Sequence, residues 1–411
     1  MRMMSQQADA ASTDAPGLPV FTVTAKTNYD LGFAIGKRFR SNIAAAFEIS
    51  KPADLLHAHP QAFANYLAAS TKAFPHLVDE LRGTADGAQQ PFDLVAAALF
   101  SDELGALGGN GAAARVDHCS DFMYSPQFGN ATAVIAHNED GNPEVFNMSY
   151  FVNATLGDLS FMAFTYAGAL PTSAFGFNGH GVYFSDNALF PLRVSTKAGV
   201  VPQSVLHRAS LEQPSVDAVV ALLQRTPCAS GFNYNLADAG DPGRLEGVEV
   251  APEGRVSAYK LDGNEYCHFN MYRRLAHAGE NDTSSEHRMA RAKQVGSWDT
   301  VAQVRAMIGD TKDTRWPIFR RSATDADGIE TLASAVFDAS AATLSVYRAN
   351  PKTALPVYVF PVPRGAPTPA KCALGAYCVR TTDCKGGCVC LPGGYPGAGT
   401  CQSPSPAARD D

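Results

Sequence analysis

The sequence predicts an α+β fold in which layers of antiparallel sheet are covered by helices. Three observations carry that expectation. The chain reads as helical through residue 110, strand-like segments then follow as a block, and helices return in blocks. Single strands do not alternate with single helices, which argues against βαβ units. The 45% hydrophobic and 9% aromatic content of the 411 residues is ordinary for a chain that builds a large core. No internal repeat occurs at a solenoid period.

Residues 1–18 are polar and expected to be disordered. Over 29–49, Leu31, Ile35, Phe39, Ile43 and Phe47 recur every fourth residue, which is one face of a helix. A second helical stretch covers 60–87 with a break near Pro75. A third covers 93–107 after Pro91, with Asp93 as its N-cap. A strand-like alternation starts at Cys119. Further strands are expected at 132–137, 145–155, 159–166 and 181–185, with a tight hairpin turn at Asn178-Gly-His-Gly181. A helix over 214–224 has Ser215 and Asp217 near its start, and strands follow at 232–237, 247–250 and 256–261. Helices return at 284–295, capped by Ser284 or Ser285, and at 300–309. Strands at 331–337 and 343–348 close the body.

Pro361, Pro363, Pro367 and Pro369 mark a semi-rigid linker over 361–371. Six of the nine cysteines then fall between Cys372 and Cys401, in a stretch with few large apolar residues. Such a module lacks a core, so three disulfides are expected to hold it, with fifteen connectivities open. A zinc site is the alternative, although the stretch has no histidine. The spacing resembles that of inhibitor-type cystine-knot miniproteins, apart from a long last loop. Disulfides imply an oxidising, secretory or extracellular compartment. The first residues show no apolar h-region of a secretory signal, which points the other way.

A formal charge of −7 without a basic block argues against nucleic acid as a partner. No apolar run approaches the ~18–20 residues of a membrane span.

The chemistry centres on Arg115-Val-Asp-His-Cys-Ser-Asp-Phe-Met-Tyr124, which follows a run of small residues. If the His118–Cys119 bond is cut, Cys119 carries a thiol and a free α-amine on one residue. That amine, with a pKa of roughly 7.7–8.0, accepts a proton near neutral pH. The residue is then a nucleophile with its own general base. The plainer reading makes Cys119 a small buried hydrophobe. Asp140, at the end of His137-Asn-Glu-Asp-Gly141, reads as a turn-initiating residue. Beside an N-terminal amine it would hold the ammonium or orient the thiol. Asn233 and Asn235 sit in an apolar strand that ordinarily depletes Asn. They read as oxyanion donors or as satisfied buried amides. His268 and Asn270 share a strand face, and Arg288 lies one turn into the helix opened by Ser284 and Ser285.

In collinear order these stretches resemble the acyl-coenzyme A:6-aminopenicillanic acid acyltransferase family, the peptidase C45 group of N-terminal-nucleophile hydrolases. The resemblance spans residues 28–350. It rests on Tyr29-Asp-Leu-Gly-Phe-Ala-Ile-Gly36, Leu81-Arg-Gly-Thr-Ala-Asp-Gly87, Asp117-His-Cys-Ser120 and Asn138-Glu-Asp140. Further matches are Gly176-Phe-Asn-Gly-His-Gly181, Ala229-Ser-Gly-Phe-Asn233, His268-Phe-Asn270, Ser284-Ser-Glu-His-Arg288 and Thr331-Leu-Ala-Ser-Ala-Val-Phe-Asp338. It implies a four-layer αββα sandwich, self-cleavage between His118 and Cys119, and acyl transfer through a thioester on Cys119. Asp140 would help activate the nucleophile. Asn233 would donate to the oxyanion, with Asn187 alongside. Ser284, Ser285 and Arg288 would face the substrate. Three positions depart from the family pattern: His118 replaces a Gly, Glu139 an aromatic residue, and Phe319 a Cys.

The expected organisation is a helical segment over 19–118, a catalytic region over 119–360, the linker, the cysteine-rich module over 372–401 and a disordered tail over 402–411. Cleavage would leave an α/β heterodimer from one precursor. The expected activity is hydrolysis of a small-molecule acyl-amide, with no cofactor and no metal. An acyl-coenzyme A-dependent N-acyltransferase is the alternative in the same fold. A non-catalytic protein whose cysteine-rich tail engages a protein partner is the alternative outside it.

Overall fold

The computed structural model describes residues 18–108, 118–125, 133–172, 174–261, 265–276, 278–279, 281–321, 325–326 and 328–365, together with the backbone of 377–378, 389–392 and 399–402. The chain divides into two compact units, Met1–Arg364 and Gly365–Asp411.

The larger unit opens with β1 (Val20–Ala25), where the all-helical reading of the N-terminal part fails. Val-Phe-Thr-Val-Thr-Ala is a short β-branched alternation, a strand signal too brief to stand out beside long helical stripes. Then come α1 (Asn28–Arg38), α2 (Arg40–Ser50), α3 (Pro52–Ala58), α4 (Pro60–Ala73) and α5 (Pro75–Ala88). A capping box formed by Thr27 and Asp30 starts α1, and proline opens each of the last three. The stripe from Leu31 to Phe47 is buried along its whole length although the helix breaks at Phe39. The expected third helix is two, α6 (Phe92–Leu99) and α7 (Ser101–Leu107). Pro91 occupies the cap of α6, so Asp93 lies inside its first turn rather than at the cap.

Gly32 and Gly36 of α1 meet Gly83 and Gly87 of α5, the glycines of two of the motifs quoted above. A Cβ on Gly32 would stand 1.8 Å from the Glu80 carbonyl oxygen, and one on Gly83 2.1 Å from that of Tyr29. The two backbones touch because neither helix carries side chains there.

The strands are β2 (Ser120–Tyr124), β3 (Val134–Gly141), β4 (Ser149–Leu156), β5 (Leu159–Tyr166), β6 (Phe175–Asn178) and β7 (Val182–Leu189). After α8 (Gln203–Ser210) and α9 (Val216–Arg225) come β8 (Gly231–Asp238), β9 (Asp241–Ala251), β10 (Arg255–Lys260) and β11 (Glu265–His268). The unit ends with α10 (Thr283–Val295), α11 (Val301–Ile308), β12 (Glu330–Asp338), β13 (Thr343–Tyr347) and β14 (Tyr358–Pro361). Ser215 caps α9. The cap of α10 is Asp282, whose carboxylate accepts the Ser285 N–H, and not Ser284 or Ser285. The body closes one strand later than expected, because β14 adds to β13.

One sheet has the order β1-β4-β5-β6-β7-β8-β9-β10 and the other β11-β2-β3-β12-β13-β14. Every pairing in them is antiparallel except β1 with β4. Three apolar clusters separate the layers. Leu31, Phe39, Val95, Leu206 and Leu222 join α1–α9 to Tyr150, Phe184 and Tyr234 of the eight-stranded sheet. Met123, Ile135, Phe337 and Leu344 meet Phe151, Phe164 and Tyr183 between the sheets. Phe122, Ala136 and Val336 meet Ala292, Val304 and Met307 of α10 and α11. The layers therefore run helices, sheet, sheet, helices.

In the smaller unit, β15 (Tyr377–Cys378), β16 (Val389–Pro392) and β17 (Gly399–Gln402) form a sheet of order β15-β17-β16, with Cys390 opposite Cys401. The side chains of 372–401 lie outside the described residues, and with them the expected disulfides. The terminal and linker expectations fall there too, for 1–17, 366–371 and 403–411.

Gly83→Ala should lower stability by about 1–3 kcal/mol or more, since the α1–α5 contact has no room for a methyl group. Urea unfolding checks this, and an unchanged midpoint would refute the close approach.

Candidate active site

Strand parity builds the site. β2 and β3 pair with Ser120 opposite Asn138 and Asp121 opposite His137. Alternate residues face opposite sides of a sheet. Met123 and Ile135 lie between the sheets, whereas Phe122 and Ala136 lie under α10 and α11. Cys119, Asp121, His137 and Glu139 therefore share the inter-sheet face, and Ser120, Asn138 and Asp140 the helical face.

On the inter-sheet face the buried Cys119 thiol donates to Glu139 Oε2 at 3.3 Å. Glu139 Oε1 accepts from the Tyr166 hydroxyl at 2.5 Å. His137 bridges Glu139 Oε2 (3.1 Å from Nε2) and Asp121 Oδ2 (2.8 Å from Nδ1). Burial alone would lower the pKa of His137, but Asp121 and Glu139 outweigh it and raise it to about 10. The ring is thus an imidazolium at neutral pH, donating to both carboxylates. Asp121 also accepts from Ser185 Oγ at 2.5 Å and from Asn187 Nδ2 at 2.6 Å. Behind them, Asn233 and Asn235 each donate to Asn187 Oδ1 at 3.2 Å, and Asn233 also to Asn235 Oδ1 at 2.9 Å.

On the helical face Arg288 is fully buried. Its Nη1 donates to the Cys119 carbonyl at 2.6 Å and to Ser120 Oγ at 3.0 Å. Its Nη2 donates to Asn270 Oδ1 at 2.9 Å and Ser285 Oγ at 3.1 Å. Asn270 Oδ1 in turn accepts the Cys119 N–H at 3.1 Å. One arginine and one amide thus clamp both ends of the Cys119 main chain. Burial, and then Arg320, lowers Arg288 to about 10, against Asp282 and Asp140. Arg320 donates to Ser284 Oγ and stands 3.3 Å from Asp140 Oδ2, while Thr331 donates to Asp140 Oδ1 at 2.5 Å. Burial pushes Asp140 up to about 7 against these partners. His118 donates its N–H to the Asp140 carbonyl at 3.2 Å, and its ring lies 3.5 Å from Asp282.

The residues singled out in the sequence therefore gather around Cys119, in two groups on opposite faces. Asp140 meets His118 through its main chain, and its carboxylate is on the face away from the thiol. The acid at the thiol is its neighbour Glu139. Asn187 and Asn233 join through Asp121. Ser284, Ser285 and Arg288 are buried and bonded to protein groups, and they do not line the cavity beside Cys119. That cavity, about 210 Å³, is walled by Cys119, Asp102, Glu139, Tyr166, Asp186 and His207 together with other polar and apolar residues. Glu139, His137 and Asp121 were not selected from sequence. The period of two in Cys119-Ser-Asp121 and His137-Asn-Glu139 was the available signal. Ligand atoms of Cys119, His137 and Glu139 lie within 4.8 Å of one another, a spacing a metal could use. A proton on His137 competes with that use, since only a neutral imidazole is a ligand.

The sequence model of the acyl-coenzyme A:6-aminopenicillanic acid acyl-transferase family matches residues 128–353. The chain belongs to this family, and it is an enzyme of the amide hydrolase or acyltransferase class. It is 27% identical over 367 residues to the beta-alanyl-dopamine/carcinine hydrolase of Drosophila melanogaster, covering 81% of this chain and 93% of that one. Two solved structures are similar to it. An N-acylethanolamine-hydrolyzing acid amidase ortholog from Caenorhabditis elegans matches with a TM-score of 0.38 and 12% identity, over 54% of this chain and 93% of its own. Penicillin V acylase from Agrobacterium tumefaciens matches with 0.31 and 15%, over 56% and 83%.

Arg288→Ala should cost about 3–5 kcal/mol, because it leaves buried acceptors and Asp282 without their cation. Denaturant unfolding of the uncleaved chain reads this directly. A loss below about 1 kcal/mol would show that the clamp is not structural.

Proposed function

We propose that this chain is a self-processing amidohydrolase of the N-terminal-nucleophile type, an αββα sandwich that cleaves a small-molecule acyl-amide through a thioester on Cys119. The observation that carries the reading is Cys119 itself. Its thiol rests on a carboxylate, and both its peptide groups are held by Asn270 and Arg288.

In the uncut chain the Cys119 nitrogen is an amide and cannot serve as a base. The thiol proton therefore goes to Glu139, the carboxylate it already touches. Sγ attacks the His118 carbonyl carbon, the C–N bond to Cys119 breaks, and the departing nitrogen takes the proton held by Glu139. Water then hydrolyses the His118 thioester. The amine so freed is received by Asn270 Oδ1, and it is now the base. In each later turnover it takes the thiol proton while Sγ attacks the substrate amide. The leaving amine departs with that proton, and water releases the acyl group.

Asn187 and Asn233 support this reading from behind, by fixing Asp121 and so the imidazolium that orients Glu139. Asp140 holds His118 at the cut through its main-chain oxygen. Both pieces would remain together, since β1 is hydrogen-bonded into the sheet beside β4, across the cleavage point in sequence. Hydrolysis is preferred to acyl transfer because the Drosophila relative, matched over 93% of its length, is named a hydrolase.

Denaturing electrophoresis should show two fragments, the second beginning Cys-Ser-Asp-Phe, and Cys119→Ala should stay whole and inactive. Glu139→Gln should slow self-cleavage by about 10²–10⁴-fold. Cleavage of the Glu139→Gln variant at the parental rate would remove Glu139 as the first base, and a Cys119→Ala chain that still cuts would remove the mechanism.

A further inference from the structure

We propose that Cys119 Sγ, His137 Nε2 and Glu139 Oε2 are the three protein ligands of a zinc ion, and that zinc bound there keeps the chain uncut. The ligand set follows from geometry, whereas its effect on cutting rests on reading Cys119 as the nucleophile.

The three atoms lie within 4.8 Å of one another, with Glu139 Oε2 3.3 Å from the thiol sulfur and 3.1 Å from the imidazole nitrogen. Tetrahedral zinc, with bonds of roughly 2.3 Å to sulfur and roughly 2.0–2.1 Å to nitrogen or oxygen, sets those two separations at roughly 3.5 and roughly 3.3 Å. The ligands already stand close to the edges of that tetrahedron. The groups behind them are in place as well. The other ring nitrogen of His137, Nδ1, lies 2.8 Å from Asp121 Oδ2, the carboxylate–histidine–zinc arrangement that fixes a ring for metal. Asp121 is itself held by Ser185 and Asn187, and Glu139 Oε1 by the Tyr166 hydroxyl. All three ligands are buried, yet Cys119 and Glu139 reach the cavity of about 210 Å³, which gives a way in and room for a water as fourth ligand.

Binding exchanges one zinc ion for two protons, one from the thiol and one from His137 Nε2, while the proton on Nδ1 stays with Asp121. The buried group keeps its net charge, because an imidazolium and a neutral thiol give way to a dication, a thiolate and a neutral ring. The metal therefore takes over the positive charge that the two carboxylates face in its absence. A thiolate and an imidazole select zinc over magnesium or calcium, which take oxygen ligands. The carboxylate ligand stands where the family pattern has an aromatic residue, so the site is a property of this chain and not of that pattern. Metal on Sγ and Oε2 ties up the sulfur electrons that attack the His118 carbonyl, and the oxygen that carries the proton to the departing nitrogen.

The test uses the full chain and zinc or cobalt(II) salts. Micromolar zinc should slow alkylation of Cys119 by iodoacetamide about tenfold or more, read on the Cys119 peptide by mass spectrometry so that the other cysteines do not enter. His137→Gln should remove that protection, and Asp121→Asn should raise the zinc concentration it needs by about 10–100-fold. Cobalt in place of zinc should give a thiolate-to-cobalt charge-transfer band in the parent chain that Cys119→Ala lacks. Chain made by cell-free synthesis with zinc should stay whole, and should cut once a chelator is added. An unprotected Cys119 in the parent chain, no difference in cobalt spectrum between parent and Cys119→Ala, or cutting at one rate with and without zinc would each overturn the proposal, and none of these depends on the His137 or Asp121 variant folding. Failure of the nucleophile reading looks different: the chain would stay whole with the chelator too, while zinc still shielded the Cys119 thiol.

Discussion

The antiparallel register of β2 on β3 is the constraint on which the rest of the site depends. With Asp121 opposite His137, the thiol of Cys119 and the carboxylate of Glu139 come to the same face, and they meet at 3.3 Å. A slip of one residue would turn His137 and Glu139 toward α10 and α11, and put Asn138 and Asp140 beside the thiol. The apolar neighbours oppose that slip. Met123 and Ile135 fill the space between the sheets, while Phe122, Val134 and Ala136 fill the space under the helices. Core packing thus sets the chemistry of the site through register.

Charge is arranged around that register so that few buried ions stand alone. Between the sheets an imidazolium lies between two carboxylates, Asp121–His137–Glu139. Under the helices Arg288 and Arg320 lie among Asp282 and Asp140. In the outer helical layer Arg208 joins Glu80 and Glu212, and the α1–α5 glycine contact includes the Glu80 main chain. Removing one member of such a group leaves an uncompensated buried charge, which is why these positions tolerate little change.

The departure at position 139 gains a physical meaning from this arrangement. An aromatic residue there would give the inter-sheet face bulk but no proton acceptor. Glutamate supplies the acceptor and needs His137 and Tyr166 to hold it in place, and both are present.

Much was legible in the sequence because it is local. Period-four burial from Leu31 to Phe47, the 159–166 strand and the helix start near Ser215 are properties of short stretches. The ordered motifs also pointed to Cys119, Asn187, Asn233 and Arg288 as one neighbourhood. What each side chain touches was decided only by the tertiary structure. Arg288, expected to face a substrate, reaches back to the Cys119 carbonyl, and Asn270, expected only to share a strand face with His268, lies just past the end of β11 and holds the Cys119 nitrogen. Glu139 and Asp140 are adjacent in the chain, and a strand sends adjacent side chains to opposite faces. Which of the two meets the thiol follows from which face the packing buries against the other sheet, and that is information no single strand contains.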